Sequence, residues 1–162
     1  MILASIMCLA NGHAPSGASV AFQKLQTLVG DWEGIDEQGN PVKSNFRLVV
    51  SGTALLETLS MPGKHEMLTV YSVDKDAIAL LHYCPSNNQP QMRAIPPEGE
   101  VKELVFKFQR AGNLPSIDVG HEHKLVIQFK DGNHVIERWT WRRNGQDTEM
   151  AYRLVRKPDT SE

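Results

Sequence analysis

What most constrains this chain is how often it turns. From Gly30 onward the sequence is cut repeatedly by short turn signals: Glu37-Gln38-Gly39-Asn40-Pro41, Ser51-Gly52, Pro62-Gly63, Asp74-Lys75-Asp76, Asp131-Gly132-Asn133 and Asn144-Gly145. The segments between them are too short for ordinary helices and read as ten strands. These are Gly30 to Asp36, Ser44 to Val50, Ala54 to Met61, His65 to Val73, Ala77 to Cys84, Gln91 to Ile95, Glu103 to Gln109, Lys124 to Lys130, His134 to Arg143 and Gln146 to Val155. Several alternate with period two, as in Leu104, Phe106 and Phe108 against Val105, Lys107 and Gln109, or Leu125, Ile127 and Phe129 against Lys124, Val126 and Gln128. Such strands have one buried and one wet face. Only Ala21 to Val29 has helical spacing, with Phe22, Leu25, Leu28 and Val29 recurring before Gly30 stops the pattern.

A chain of strands with no helix long enough to cover them must hide its apolar face against itself, as a sandwich or a closed barrel. The run of tight hairpins favours the barrel. The sequence therefore predicts an all-β fold, a ten-stranded antiparallel up-and-down barrel with a short N-terminal helix. Eight strands already enclose room for a small ligand, so ten imply a cavity. Its expected lining is Leu48, Val50, Leu68, Val70, Leu80, Phe106, Phe108, Ile127 and Phe129.

Composition limits the partners. A chain of 162 residues with 41% hydrophobic and 22% charged content fits one domain, and a net charge of -2 supplies no cationic field for nucleic acid. Met1 to Ala10 (MILASIMCLA) is apolar, and the turn-rich stretch Asn11 to Ser19 contains the small-x-small pattern Ser16-Gly17-Ala18. Without a positive n-region, residues 1–18 read either as a signal peptide or as a disordered leader, with a barrel domain over 20–157 and a tail over 158–162. The signal reading places the protein in the periplasm or outside the cell; the other leaves it cytoplasmic. No stretch reaches the roughly 18 apolar residues of a membrane span. Removal of the leader would take Cys8 and leave Cys84 as a lone thiol, excluding an internal disulfide.

The segment Leu28-Val29-Gly30-Asp31-Trp32-Glu33-Gly34, a helix end running into Gly-x-Trp, resembles the opening signature of the lipocalin-like barrels, the calycins. Tyr152-Arg153-Leu154 in the last strand adds to the likeness, because an arginine there commonly covers the tryptophan; the resemblance implies that role for Arg153. Leu81-His82-Tyr83-Cys84, Asn88-Gln89-Pro90-Gln91-Met92, Gly120-His121-Glu122-His123 and Glu137-Arg138-Trp139-Thr140 are similar to a bacterial branch of that group. The resemblance spans about Phe22 to Arg156 and implies a fold but no activity.

Strand alternation selects the chemistry-bearing side chains. His82 and Cys84 fall on one face, and His121 and His123 share a face with Leu125, Ile127 and Phe129. Histidines two apart on a strand can ligate one metal, so His82, Cys84, His121 and His123 are candidate ligands for zinc or haem, with His134 a further haem candidate. The alternative is that these histidines are hydrogen-bonded within the structure. Glu57 lies on the face of Leu55 and Leu59, where a carboxyl needs a buried partner such as His82 or Arg138, unless Leu56 faces inward and leaves it in water. Tyr71, Met92, Phe106 and Phe108 complete the candidate ligand-binding set, with His65, Glu66 and Asn88 as further polar candidates. Trp139 and Trp141 read as wall or exterior packing, the alternative being that either touches a ligand.

No Gly-x-Ser-x-Gly elbow and no phosphate loop occurs, so catalysis, as a small hydrolase or isomerase, ranks below binding and no catalytic residue is assigned. The sequence thus points to a barrel, monomeric or homodimeric, that binds a small hydrophobic or amphipathic molecule. The alternative is a haem or metal barrel.

Overall fold

The computed structural model describes residues 16–158. Helix α1 (Gly17–Gln26) precedes ten strands: β1 (Gly30–Ile35), β2 (Pro41–Val49), β3 (Ala54–Ser60), β4 (Met67–Asp74), β5 (Ala77–Tyr83), β6 (Gln89–Ala94), β7 (Glu103–Gly112), β8 (His121–Phe129), β9 (His134–Arg143) and β10 (Gln146–Arg156). Each strand pairs antiparallel with its neighbours in sequence, and β1 pairs with β10, which closes the barrel. The all-β, ten-stranded up-and-down barrel expected from the turn spacing is the observed architecture. The leader and tail readings fall outside the described residues except for Ser16, Gly17, Ala18 and Pro158.

The helix starts earlier than its apolar spacing suggested, because Ser16 acts as its N-cap: its hydroxyl accepts from the Ser19 amide at 3.2 Å. Ala18, Ala21, Phe22 and Leu25 form its buried stripe at spacings of three and four. Gln26 Nε2 donates to the carbonyl of Gly52 in the β2–β3 turn, so α1 sits over the end of the barrel that carries that turn. Burying Phe22 and Leu25 there contributes about 2 kcal/mol each.

The chain enters β1 through Gly30, whose φ of 123° suits glycine. Trp32, 1% exposed, donates from Nε1 to the Leu28 carbonyl at 2.7 Å. The arginine over its ring is Arg156, with the guanidinium carbon 4.3 Å from the ring centroid, and not Arg153 as the resemblance implied. Register explains the correction: Trp32 pairs with Arg156, while Leu154 points inward and leaves Arg153 exposed opposite Ile35. Arg156 also donates to the carbonyls of Val29 (2.7 Å) and Thr27, tying the last strand to the C-terminal end of α1.

Gly34 marks the tightest backbone approach. A Cβ there would lie 1.9 Å from the Arg153 carbonyl oxygen, so only glycine lets β1 and β10 pair at this point.

Part of the expected lining is corrected. Leu80, Phe106 and Ile127 are buried inside, Phe108 is half-buried, and Phe129 packs against the core from a half-buried position. Val50 is 73% exposed in the turn after β2, and Leu48 is 42% exposed near that strand's end. In β4 the buried residues are Thr69 and Tyr71, which leaves Leu68 and Val70 on the other, half-buried face.

Candidate functional site

Register places Phe46, Glu57, Thr69 and His82 side by side across β2 to β5, and Ile127, Glu137 and Tyr152 side by side across β8 to β10. The two rows meet across the lumen. Glu57 accepts from Ser44 Oγ at 2.9 Å and from the Tyr71 hydroxyl at 2.7 Å, with Glu137 beside it. Glu137 accepts from Trp139 Nε1 at 3.1 Å, and its Oε1 has no hydrogen-bond partner. Both carboxyls are completely buried; burial raises both pKa values, that of Glu137 further because Glu57 adds like charge. A pair of this kind retains a proton at neutral pH.

Glu57 therefore faces inward with Leu55 and Leu59, but its expected partners are corrected. Arg138 lies on the outer face, donating to Gln128 Oε1 at 2.5 Å and approaching Glu149 at 3.8 Å. His82 is bonded through Nδ1 to Thr69 Oγ1 at 2.9 Å, and its ring lies 4.7 Å from that of Trp139. Burial pushes its pKa down to about 4, and Nε2 is unpartnered, so it is a neutral imidazole inside the barrel. Cys84 follows the end of β5 at Tyr83, where its half-buried thiol lies 3.2 Å from Ser86 Oγ and lines the mouth of the barrel. Met92 is buried beside Leu80, opposite Phe108.

The placement of His121 and His123 is also corrected. A bulge between Glu122 and Lys124 breaks the alternation, so that Glu122 pairs with Trp141 and Leu125 with Trp139. The glutamate between the histidines thereby takes the inward place. His121 is buried and His123 half-buried against Phe108, at ring separations of 4.7 and 5.0 Å. Their nitrogens are already engaged. Arg142 Nη1 can only donate, so His123 Nε2 accepts from it at 2.6 Å. A neutral His123 then donates from Nδ1 to His121 Nε2 at 3.1 Å, and His121 Nδ1 donates to the Val119 carbonyl at 2.7 Å. Asp147 anchors the far end of this chain through Arg142 at 2.6 and 2.8 Å. A metal at either histidine would have to displace one of these bonds, and among the described residues no three His, Cys, Asp or Glu side chains form a metal-holding group. His134 is exposed at the start of β9, bonded to Asp131 in the β8–β9 turn at 2.9 Å.

At the end of the barrel opposite α1 lies a cavity of about 590 Å³, open to solvent. Met61, Met67, Met150, Trp141 and Tyr152 line it, together with Lys64, His65, Cys84, Ser86 and Thr148. Asn88 ties the rim together, donating from Nδ2 to the Gly120 carbonyl at 2.9 Å; Glu66 is exposed. The buried polar group of the wall is Glu122. It is 5% exposed, its Oε2 lacks a partner, and burial pushes its pKa up to about 7.

Sequence reasoning named neither Glu122 nor Glu137 as a site residue. An inward Glu137 was legible in its shared face with Val135 and Trp139. Glu122 was not, because the bulge has no sequence signature.

No family model matches the chain, and no curated protein matches it. Among solved structures it is similar to one described as EF1p2_mFAP2b bound to DFHBI, at 11% identity and a TM-score of 0.40, with 84% of this chain and 98% of that chain covered. A likeness that distant carries no inference about function.

Proposed function

We propose that this chain is a lipocalin-like binding protein that takes one small amphipathic molecule into the mouth opposite α1. The carrying observation is the cavity of about 590 Å³ between Met61, Met67, Met150, Trp141 and Tyr152. Its volume lies within the roughly 300–1,000 Å³ usual for small-molecule sites, and an apolar wall with few polar groups is their usual make-up. Three thioethers give a wall that adapts to ligand shape. Binding ranks above catalysis because Glu57 and Tyr71, and Thr69 and His82, are bonded in pairs inside the barrel, which leaves Glu122 as the buried acid at the opening.

Uptake of the neutral dye Nile red tests this reading by the rise in its fluorescence on entering an apolar site. Thr148→Trp places an indole in the mouth from an exposed position and is expected to weaken uptake at least about tenfold, the loss of one buried contact of about 1.4 kcal/mol. Gln109→Trp fills a separate hollow of about 340 Å³ on the outer face of β4 to β7 and should leave uptake unchanged. The reverse pattern would place binding on the outer face and end the proposal.

A further inference from the structure

The chemistry of the mouth narrows the ligand class. Among the described residues the buried carboxyl and imidazole groups are Asp36, Glu57, Glu122 and Glu137, together with His82 and His121; no lysine or arginine is buried. Asp36 belongs to the β1–β2 turn, where it accepts from the Gln38 and Asn40 amides and from Asn40 Nδ2. The remaining carboxyls face the lumen, and the imidazole there, His82, is neutral. A ligand carboxylate would find no countercharge inside and would meet three acids. An ammonium would find the opposite: a carboxyl oxygen without a partner at the cavity wall, and aromatic faces beside it.

We infer that the mouth binds an amine, with the ammonium group against Glu122 Oε2 between Trp141 and Tyr152, and the apolar body along Met61, Met67 and Met150. This rests on the mouth being the binding site, as proposed above. Glu122 meets the requirement for an anchor better than any other group in the wall, because it is 5% exposed, its Oε2 is unpaired, and its strand partner is Trp141. A buried acceptor left unpaired is costly, and a ligand that donates to it removes that cost. Indole and phenol faces add cation–π attraction. The rim cation Lys64 does not take this role: it is exposed, lies 3.9 Å from Met61 Sδ, and its charge acts on Asp36.

Ionisation of Glu122 is part of the recognition. The titratable groups that face it are Tyr152 from β10, Lys64 and His65 from the β3–β4 turn and Cys84 after β5, with His121 and His123 on its own strand. Burial alone pushes the Glu122 pKa up to about 7, so an amine that needs the carboxylate binds with proton release and gains affinity through neutrality.

Competition against Nile red with octylamine, octanol and octanoate, one apolar body with three head groups, tests the inference. At about pH 8.5, octylamine should displace the dye at least about tenfold more tightly than octanol, with octanoate weakest. The advantage should vanish at about pH 5.5, where Glu122 is protonated, and in Glu122→Gln, which should still bind octanol. Equal displacement by octylamine and octanol at the higher pH would overturn the amine inference while leaving the binding reading intact. So would an amine advantage that persists in Glu122→Gln. Nile red that is not taken up at all would instead overturn the binding reading. The pH series on the unmodified protein decides the question even if the variant fails to fold.

Discussion

His82 offers the sharpest quantitative consequence of the interior. Its pKa is pushed from an unfolded value of 6.5 down to about 4 by burial, and its one hydrogen-bond partner is Thr69. A histidine whose folded pKa is depressed binds its proton more readily in the unfolded chain, so its contribution to stability is present above pH 6.5 and is lost as pH falls toward 4. The full loss corresponds to a shift from 6.5 to about 4, or about 3 kcal/mol; at about pH 5 it should already be about 2 kcal/mol. His82→Gln removes the titration and keeps a group able to bond Thr69. Urea unfolding of both proteins between about pH 7.5 and pH 5 isolates the effect, since the carboxyls contribute equally to each. Any cost of lost packing in the variant is a constant offset. The stability difference should therefore be flat at the upper end and move in the variant's favour by about 2 kcal/mol as pH falls. A difference that stays flat throughout would mean that His82 ionises freely, and the description of the interior as a dry polar row would be wrong.

Other perturbations separate the structural roles. Arg156→Ala should cost about 2 kcal/mol in urea unfolding, since it loses both the stack on Trp32 and the bonds to the carbonyls of Thr27 and Val29; exposed Arg153→Ala should stay within about 0.5 kcal/mol. Equal effects would undo the assignment of Arg156 as the covering arginine. Gly34→Ala should destabilise by about 3 kcal/mol or block folding, because the new methyl meets backbone that cannot yield; an unfolding midpoint unchanged from the parent would refute the register of β1 on β10. Tyr71→Phe removes a donor from Glu57 and should cost about 1–3 kcal/mol, read by the same assay; no cost would mean that Glu57 finds water there.

The architecture was legible because turn chemistry is local. Asp131-Gly132-Asn133 and Asn144-Gly145 bound β9, whose observed limits, His134–Arg143, coincide with those read from the sequence. The helix boundary was less so, since Ser16 as an N-cap depends on one hydroxyl bonding the Ser19 amide rather than on an apolar period. The interior was only partly legible, because which face of a strand is buried is a single binary choice that an error of one residue inverts. In β4, Leu68 and Val70 looked like the buried set, yet Thr69 and Tyr71 are inside since they complete the polar row with Glu57 and His82. In β8 alternation failed for a different reason: the bulge moves Glu122 into the place expected for its neighbouring histidines. Only the register separates Arg138 from Glu57, by placing it opposite Val126 and Ala151 on the outer face.

The central claim is that the methionine-walled mouth is where a small molecule binds. Carbon-13 labelling of the methionine methyl groups, with Nile red titrated into the protein, tests it directly. Met61, Met67 and Met150 line the cavity, whereas Met92 is 2% exposed between Leu80 and Phe108. Binding at the mouth should shift the methyl resonances of Met61, Met67 and Met150 together and leave that of Met92 in place. Saturable binding that leaves those three resonances unmoved would contradict it.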